Sequence, residues 1–93
     1  MVVKIAKSFQ KDLRSKPKTV IQAVRELITD LEDAVSLEKS GVDYTKMEGQ
    51  WKGENYYRIR LDNWRIGIEY LYPEIIIIRI LARGEVYKHF PPQ

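Results

Sequence analysis

Two alternating runs, Tyr56 to Leu61 and Trp64 to Leu71, flank the dipeptide Asp62-Asn63. Alternation with period two marks a strand with one covered face and one open face, and Asp-Asn suits a tight hairpin turn. A two-residue loop pairs Leu61 with Trp64, Ile59 with Ile66, and Tyr57 with Ile68. All six are apolar or aromatic, and all fall on one face. A slip of one residue would move one strand's apolar set to the wrong side, so the pattern predicts a single register. The other face then carries Arg60 across from Arg65, Arg58 across from Gly67, and Tyr56 across from Glu69. Gly67 leaves open space beside Arg58.

Pro73 and Glu74 mark the next turn, and Ile75 to Ala82 reads as a third strand. A turn spanning Tyr72 to Glu74 sends Ile76, Ile78 and Ile80 to the core and sets Arg79 and Arg83 beside the other arginines. A two-residue turn would drive Arg79 into the core, a costly place for a charge. Five of the seven arginines thus gather in this region, whereas seven of the nine lysines precede residue 50. Like charges opposed on a sheet destabilise it by up to ~1 kcal/mol. Arginine grips phosphate through a planar fork of donors, whereas lysine is a hydrated point charge. The clustering therefore points to an anionic ligand. Glu54, Glu69 and Glu85 could neutralise part of the face, but they are fewer than the arginines.

The first half of the chain is helical in pattern. Val2 to Ile5 is β-prone, and Phe9 and Leu13 lie four apart on a short amphipathic helix ending before Pro17. Thr19 is a candidate cap for a second helix, whose stripe Val20, Val24, Leu27, Ile28 and Leu31 runs to about Ala34. Residues 36–55 show no clean period and read as a long irregular connection, fastened to the core by Leu37, Val42, Met47 and Trp51. The tail GEVYKHFPPQ reads as one helical turn and an extended end, bringing Tyr87 and His89 near the last strand. The fold class is α+β, a single domain over residues 1–93: an N-terminal strand and an αα-hairpin on one face of an antiparallel meander, with a short C-terminal helical turn.

Composition narrows the chemistry. There is no cysteine and one histidine, which leaves no thiol chemistry and no metal cluster, and no cofactor is expected. The net charge of +3 and a pI near 9.2 are compatible with nucleic acid. Residues 4–18 carry six basic groups and one acid, and residues 19–50 three basic groups and seven acids. Neither the N-terminal apolar run nor the four isoleucines at 75–78 is long enough to span a membrane. A cytoplasmic location is the expectation.

The stretch YYRIRLDNWRIGIEY, the isoleucine-rich strand and LARGEVYKHFP together resemble the RelE/ParE superfamily of toxins, the toxin halves of prokaryotic toxin–antitoxin pairs. The order of elements matches over nearly the whole chain. The resemblance implies a RelB-like antitoxin that wraps the toxin in a hetero-oligomer. In the RelE-like branch it implies cleavage of mRNA in the ribosomal A site, with no membrane partner. The family's basic residues on the first meander strand fall on Arg58 and Arg60, its strand arginine after the hairpin on Arg65, its arginine after the last strand on Arg83, and its C-terminal tyrosine on Tyr87. Some relatives have lysines in place of Arg58 and Arg60, and many read histidine-arginine where this chain has Ala82-Arg83. Both changes remove a group able to exchange a proton near neutral pH.

Such cleavage proceeds by attack of a ribose 2′-hydroxyl on the adjacent phosphorus. Positioned guanidiniums stabilise the charge that builds on the phosphate oxygens. Arg65 and Arg83 suit that role, Arg58 and Arg60 suit holding the backbone, and Tyr87 suits proton transfer or base stacking. Lys46, Lys52, Tyr56 and Arg79 are further candidates for RNA contact. Two other readings belong to the same resemblance. One is a ParE-like gyrase poison, expected to lack clustered strand arginines. The other is a module that has lost cleavage but retains antitoxin binding or operon repression.

Overall fold

The computed structural model describes residues 1–92. The elements run β1 (Val2–Ile5), α1 (Lys7–Arg14), α2 (Lys18–Asp33), β2 (Tyr44–Lys46), β3 (Tyr56–Leu61), β4 (Trp64–Leu71), β5 (Glu74–Ala82) and α3 (Val86–His89). They form one five-stranded sheet in the order β1-β5-β4-β3-β2. β1 lies parallel to β5, and all other pairs are antiparallel. Among the described residues no helix is long and apolar enough to cross a membrane.

The hairpin of β3 and β4 has the expected register, from Leu61 opposite Trp64 to Tyr56 opposite Glu69. Asp62 takes the left-handed conformation (φ 56°) that lets so short a turn close. On one face of the sheet, Ile59, Ile66, Ile68 and Tyr70 meet Phe9, Val24, Leu27 and Leu31 of the two helices in the main core. α2 begins one residue before Thr19, behind Pro17, and no side chain caps it. Pro17 arrives extended, and its carbonyl receives the N–H groups of Val20 and Ile21 at 3.0 and 3.1 Å.

The connection over residues 36–55 contains a short strand that periodicity could not show. β2 is only three residues long, and it closes the outer edge of β3. Leu37 and Met47 are buried and Val42 is half-buried, as expected of fastening residues. Trp51 is not one of them, being 83% exposed.

The last turn differs from expectation. It has two residues, Tyr72 and Pro73, because Leu71 pairs with Glu74. Ile75 and Ile77 therefore face the core in place of Ile76 and Ile78. A bulge at Ile78, between the pairs Ile68–Ile77 and Gly67–Arg79, then restores the phase. One extra residue in the bulged strand flips the alternation, so Ile80 enters the core and Arg79 does not.

The bulge lies where β5 loses its neighbour. β1 accompanies β5 only as far as Ile77, where Ala6 N–H donates to the Ile77 carbonyl at 2.9 Å. Beyond it α1 covers the edge with side chains. The Ser8 hydroxyl donates to the Ile78 carbonyl, and the Asp12 carboxylate accepts the Ile80 N–H at 3.1 Å. The same carboxylate accepts both Nε (2.7 Å) and a terminal nitrogen (3.2 Å) of Arg79. With side chains 14% and 28% exposed, this pair is sheltered enough to contribute to stability. Asp12→Ala is expected to lower the unfolding free energy by about 2 kcal/mol in urea titrations. A loss below about 0.5 kcal/mol would reduce the contact to an ordinary surface pair.

Candidate nucleic-acid interface

The second face of the sheet has two zones. Near the start of β3 lies a small core of Met47, Val86 and Phe90, with Tyr56, Ile78 and Leu81 against it. Toward the Asp62-Asn63 turn lie the cations. Arg60 stands directly across from Arg65, and Arg58 across from Gly67. Arg83 joins them through its backbone, whose N–H donates to the Asn63 carbonyl at 2.9 Å and ties the end of β5 to the hairpin turn.

Arg65 is the most constrained of the group. One terminal nitrogen donates to the carbonyls of Asp62 and Trp64, at 2.9 and 2.8 Å. Burial lowers its pKa, and so do the neighbouring charges of Arg60, Arg83 and Arg58, while Tyr87 acts in the opposite sense. Each of these four side chains thus acts on the charge of Arg65. Tyr87 is 62% exposed, and its ring centroid lies 5.1 Å from the guanidinium carbon of Arg58.

Two of the three acids that could have neutralised this face have other partners. Glu85 pairs with Lys88 at 3.4 Å and approaches His89 Nε2 at 3.7 Å. Glu54 accepts the Trp51 N–H at 2.7 Å. Among the described residues, Arg58, Arg60, Arg65 and Arg83 form no salt bridge. An uncompensated cluster of this kind presents its remaining donors to an incoming anion.

Three expected contributors lie elsewhere, and a fourth is engaged in packing. Arg79 leans over the β5 edge onto Asp12, whose hydrogen bond raises its pKa against the effect of burial. Lys46 pairs with Tyr57 and therefore lies on the helical side of the sheet, while Thr45 is the residue across from Arg58. Lys52 is an exposed residue of the loop before β3. Tyr56 lies on the arginine face but packs edge-on against Phe90, with ring centroids 5.5 Å apart.

Three contributors were absent from the expectation: Asp12, Met47 as part of the second core, and Phe90. The open space expected beside Arg58 is taken, because a Cβ on Gly67 would stand 2.7 Å from the Phe90 ring. A glycine inside a strand often marks a close approach by another group, which was the available signal. Trp51 stands instead at a groove of about 530 Å³ bounded by Gly49, Gln50, Glu54, Pro91 and Pro92.

The sheet and its helical hairpin have known counterparts. Residues 3–87 match the family of ParE toxins of type II toxin–antitoxin systems, and the chain belongs to that family. It is also similar to Toxin RelE3 of Methanocaldococcus jannaschii, with 38% identity over 91 residues, covering 98% of this chain and all of the relative. Among solved structures it resembles the RelB–RelE antitoxin–toxin complex from Methanococcus jannaschii, with a TM-score of 0.74 and 34% identity over 95% of this chain and 99% of the other. The RelE–RelB complex from Pyrococcus horikoshii gives a TM-score of 0.71 and 29% identity over 89% and 94% of the two chains.

If these guanidiniums repel one another across the sheet, removing one relieves strain. Arg60→Gln is expected to raise the melting temperature by about 2–4 °C at low salt. The gain should shrink as salt screens the cluster. An unchanged or lowered melting temperature in dilute buffer would show that the repulsion is already compensated.

Proposed function

We propose that this toxin is a ribosome-dependent endoribonuclease that cleaves mRNA, and that a RelB-like antitoxin holds it in an inactive hetero-oligomer. The observation that carries the reading is the gathering of Arg58, Arg60 and Arg65 on one face, with Arg83 tied by its backbone to the hairpin turn and Tyr87 alongside Arg58, and with no carboxylate in a salt bridge to these arginines among the described residues. The antitoxin is inferred from the RelB chains bound to the similar RelE toxins.

In the proposed reaction the ribose 2′-oxygen forms a bond to the adjacent phosphorus as the bond from phosphorus to the 5′-oxygen breaks. The products are a 2′,3′-cyclic phosphate and a 5′-hydroxyl. The 2′-hydroxyl gives up its proton to solvent water, and the departing 5′-oxygen takes one from the site. Arg65 and Arg83 meet the charge on the equatorial phosphate oxygens. Arg65 suits this role because two backbone carbonyls already fix its guanidinium, so little reorganisation accompanies the reaction. Arg58 and Arg60 hold the flanking backbone. Arginine stays protonated and cannot serve as the base. Tyr87 is the group in the cluster with a proton to give, and its phenol suits protonation of the leaving oxygen.

In this reading the guanidiniums supply the positive charge that meets the phosphate. Arg79 is left out of the RNA contacts because Asp12 already occupies its fork. Lys46 is left out because of its face. Lys52 is retained as an outlying phosphate contact.

Induced expression followed by primer extension should reveal cuts in phase with codons on translated mRNA. Arg65→Ala should slow cleavage by about 10²–10³-fold while leaving the fold intact. Intact mRNA with blocked DNA supercoiling would instead support a gyrase poison. Full cleavage by Arg65→Ala would remove that residue from the mechanism.

A further inference from the structure

Tyr87 rides on a helix of four residues. One turn of helix has no stability of its own in water. Tertiary contacts must therefore set where its phenol points, and two flanking residues supply them. Val86 and Phe90 are 0% and 2% exposed, and they stand four apart on the same side of the turn. The Phe90 N–H donates to the Val86 carbonyl at 2.9 Å, closing the turn between the two anchors.

The seat of Phe90 is specific. Its ring occupies the space that a side chain at position 67 would fill, and Tyr56 meets the ring edge-on. Gly67 in turn lies directly across from Arg58 on the neighbouring strand. The point that receives Phe90 and the cation that receives the Tyr87 ring are therefore cross-strand partners on one face. We propose that Phe90, seated on Gly67, is the positioning residue that holds Tyr87 within the arginine cluster, and that a glycine is required at position 67 to admit it. The inference rests on the nucleolytic reading of Tyr87, although the contact itself stands without that reading.

The test uses the full-length protein and two readouts. The first is the Arg58 Nε–H resonance, which senses the nearby Tyr87 ring. Tyr87→Ala should move it, and Phe90→Leu should move it in the same direction. An unmoved Arg58 resonance in Phe90→Leu would overturn the proposal. Gly67→Ala should reproduce the shift, because its methyl group enters the seat. Phe90→Met, an adaptable side chain of similar volume, replaces Phe90→Leu if the latter does not fold.

The second readout is RNA cleavage. Phe90→Leu should lower the rate on the order of ten- to a hundred-fold, as expected for a misplaced catalytic group. Combined with Tyr87→Ala it should add nothing to the loss from Tyr87→Ala alone. Losses that multiply would assign Phe90 a purely structural role and contradict the proposal. If the wild-type protein cleaves no RNA, the nucleolytic reading fails, and the resonance still decides whether Phe90 places Tyr87.

Discussion

The Asp62-Asn63 turn governs the direction of every side chain on β3 and β4. With Leu61 locked opposite Trp64, six apolar or aromatic residues face the helices, and three arginines necessarily face the other way. The core and the cation cluster are two consequences of a single register. Helix packing on one side stabilises a surface on the other that is electrostatically unfavourable by itself. Moving the cations would mean moving the core.

Three local devices manage that surface. Backbone carbonyls at the turn accept from Arg65 and soften its charge. The Asn63 carbonyl fixes the position of Arg83 by accepting its backbone N–H. Phe90 and its neighbours cover the apolar part of the face and bring Tyr87 alongside Arg58. The result sets one phenol, with little freedom at its base, beside four guanidiniums that form no salt bridge among the described residues. On the proposed reading, such an arrangement would stabilise charge as it develops on phosphate.

The hairpin was legible in the sequence because alternation, turn chemistry and apolar pairing all demanded the same register. The helical stripes and the family resemblance were legible for similar reasons of periodicity and motif. The path of β5 was not. Its run of isoleucines offers no polar residue to mark phase, so a bulge that shifts the alternation by one leaves no trace. That hidden bulge accompanies the placement of Arg79 on Asp12, sixty-seven residues away in sequence. β2 was too short to show a period. Phe90 carries no signal of its own, because Gly67 suggests an opening in the sequence, whereas the Phe90 ring fills that space.

The central claim is that Arg58, Arg60, Arg65 and Arg83 act as one receptor for a ribose–phosphate chain. The most direct measurement is a titration of the free protein with a short RNA blocked at its 2′-oxygens, followed through arginine side-chain Nε resonances. The account predicts that these four resonances shift together with one affinity while Arg79, held by Asp12, stays in place. Shifts confined to the basic segment from Lys7 to Lys18, with the four sheet arginines silent, would contradict it.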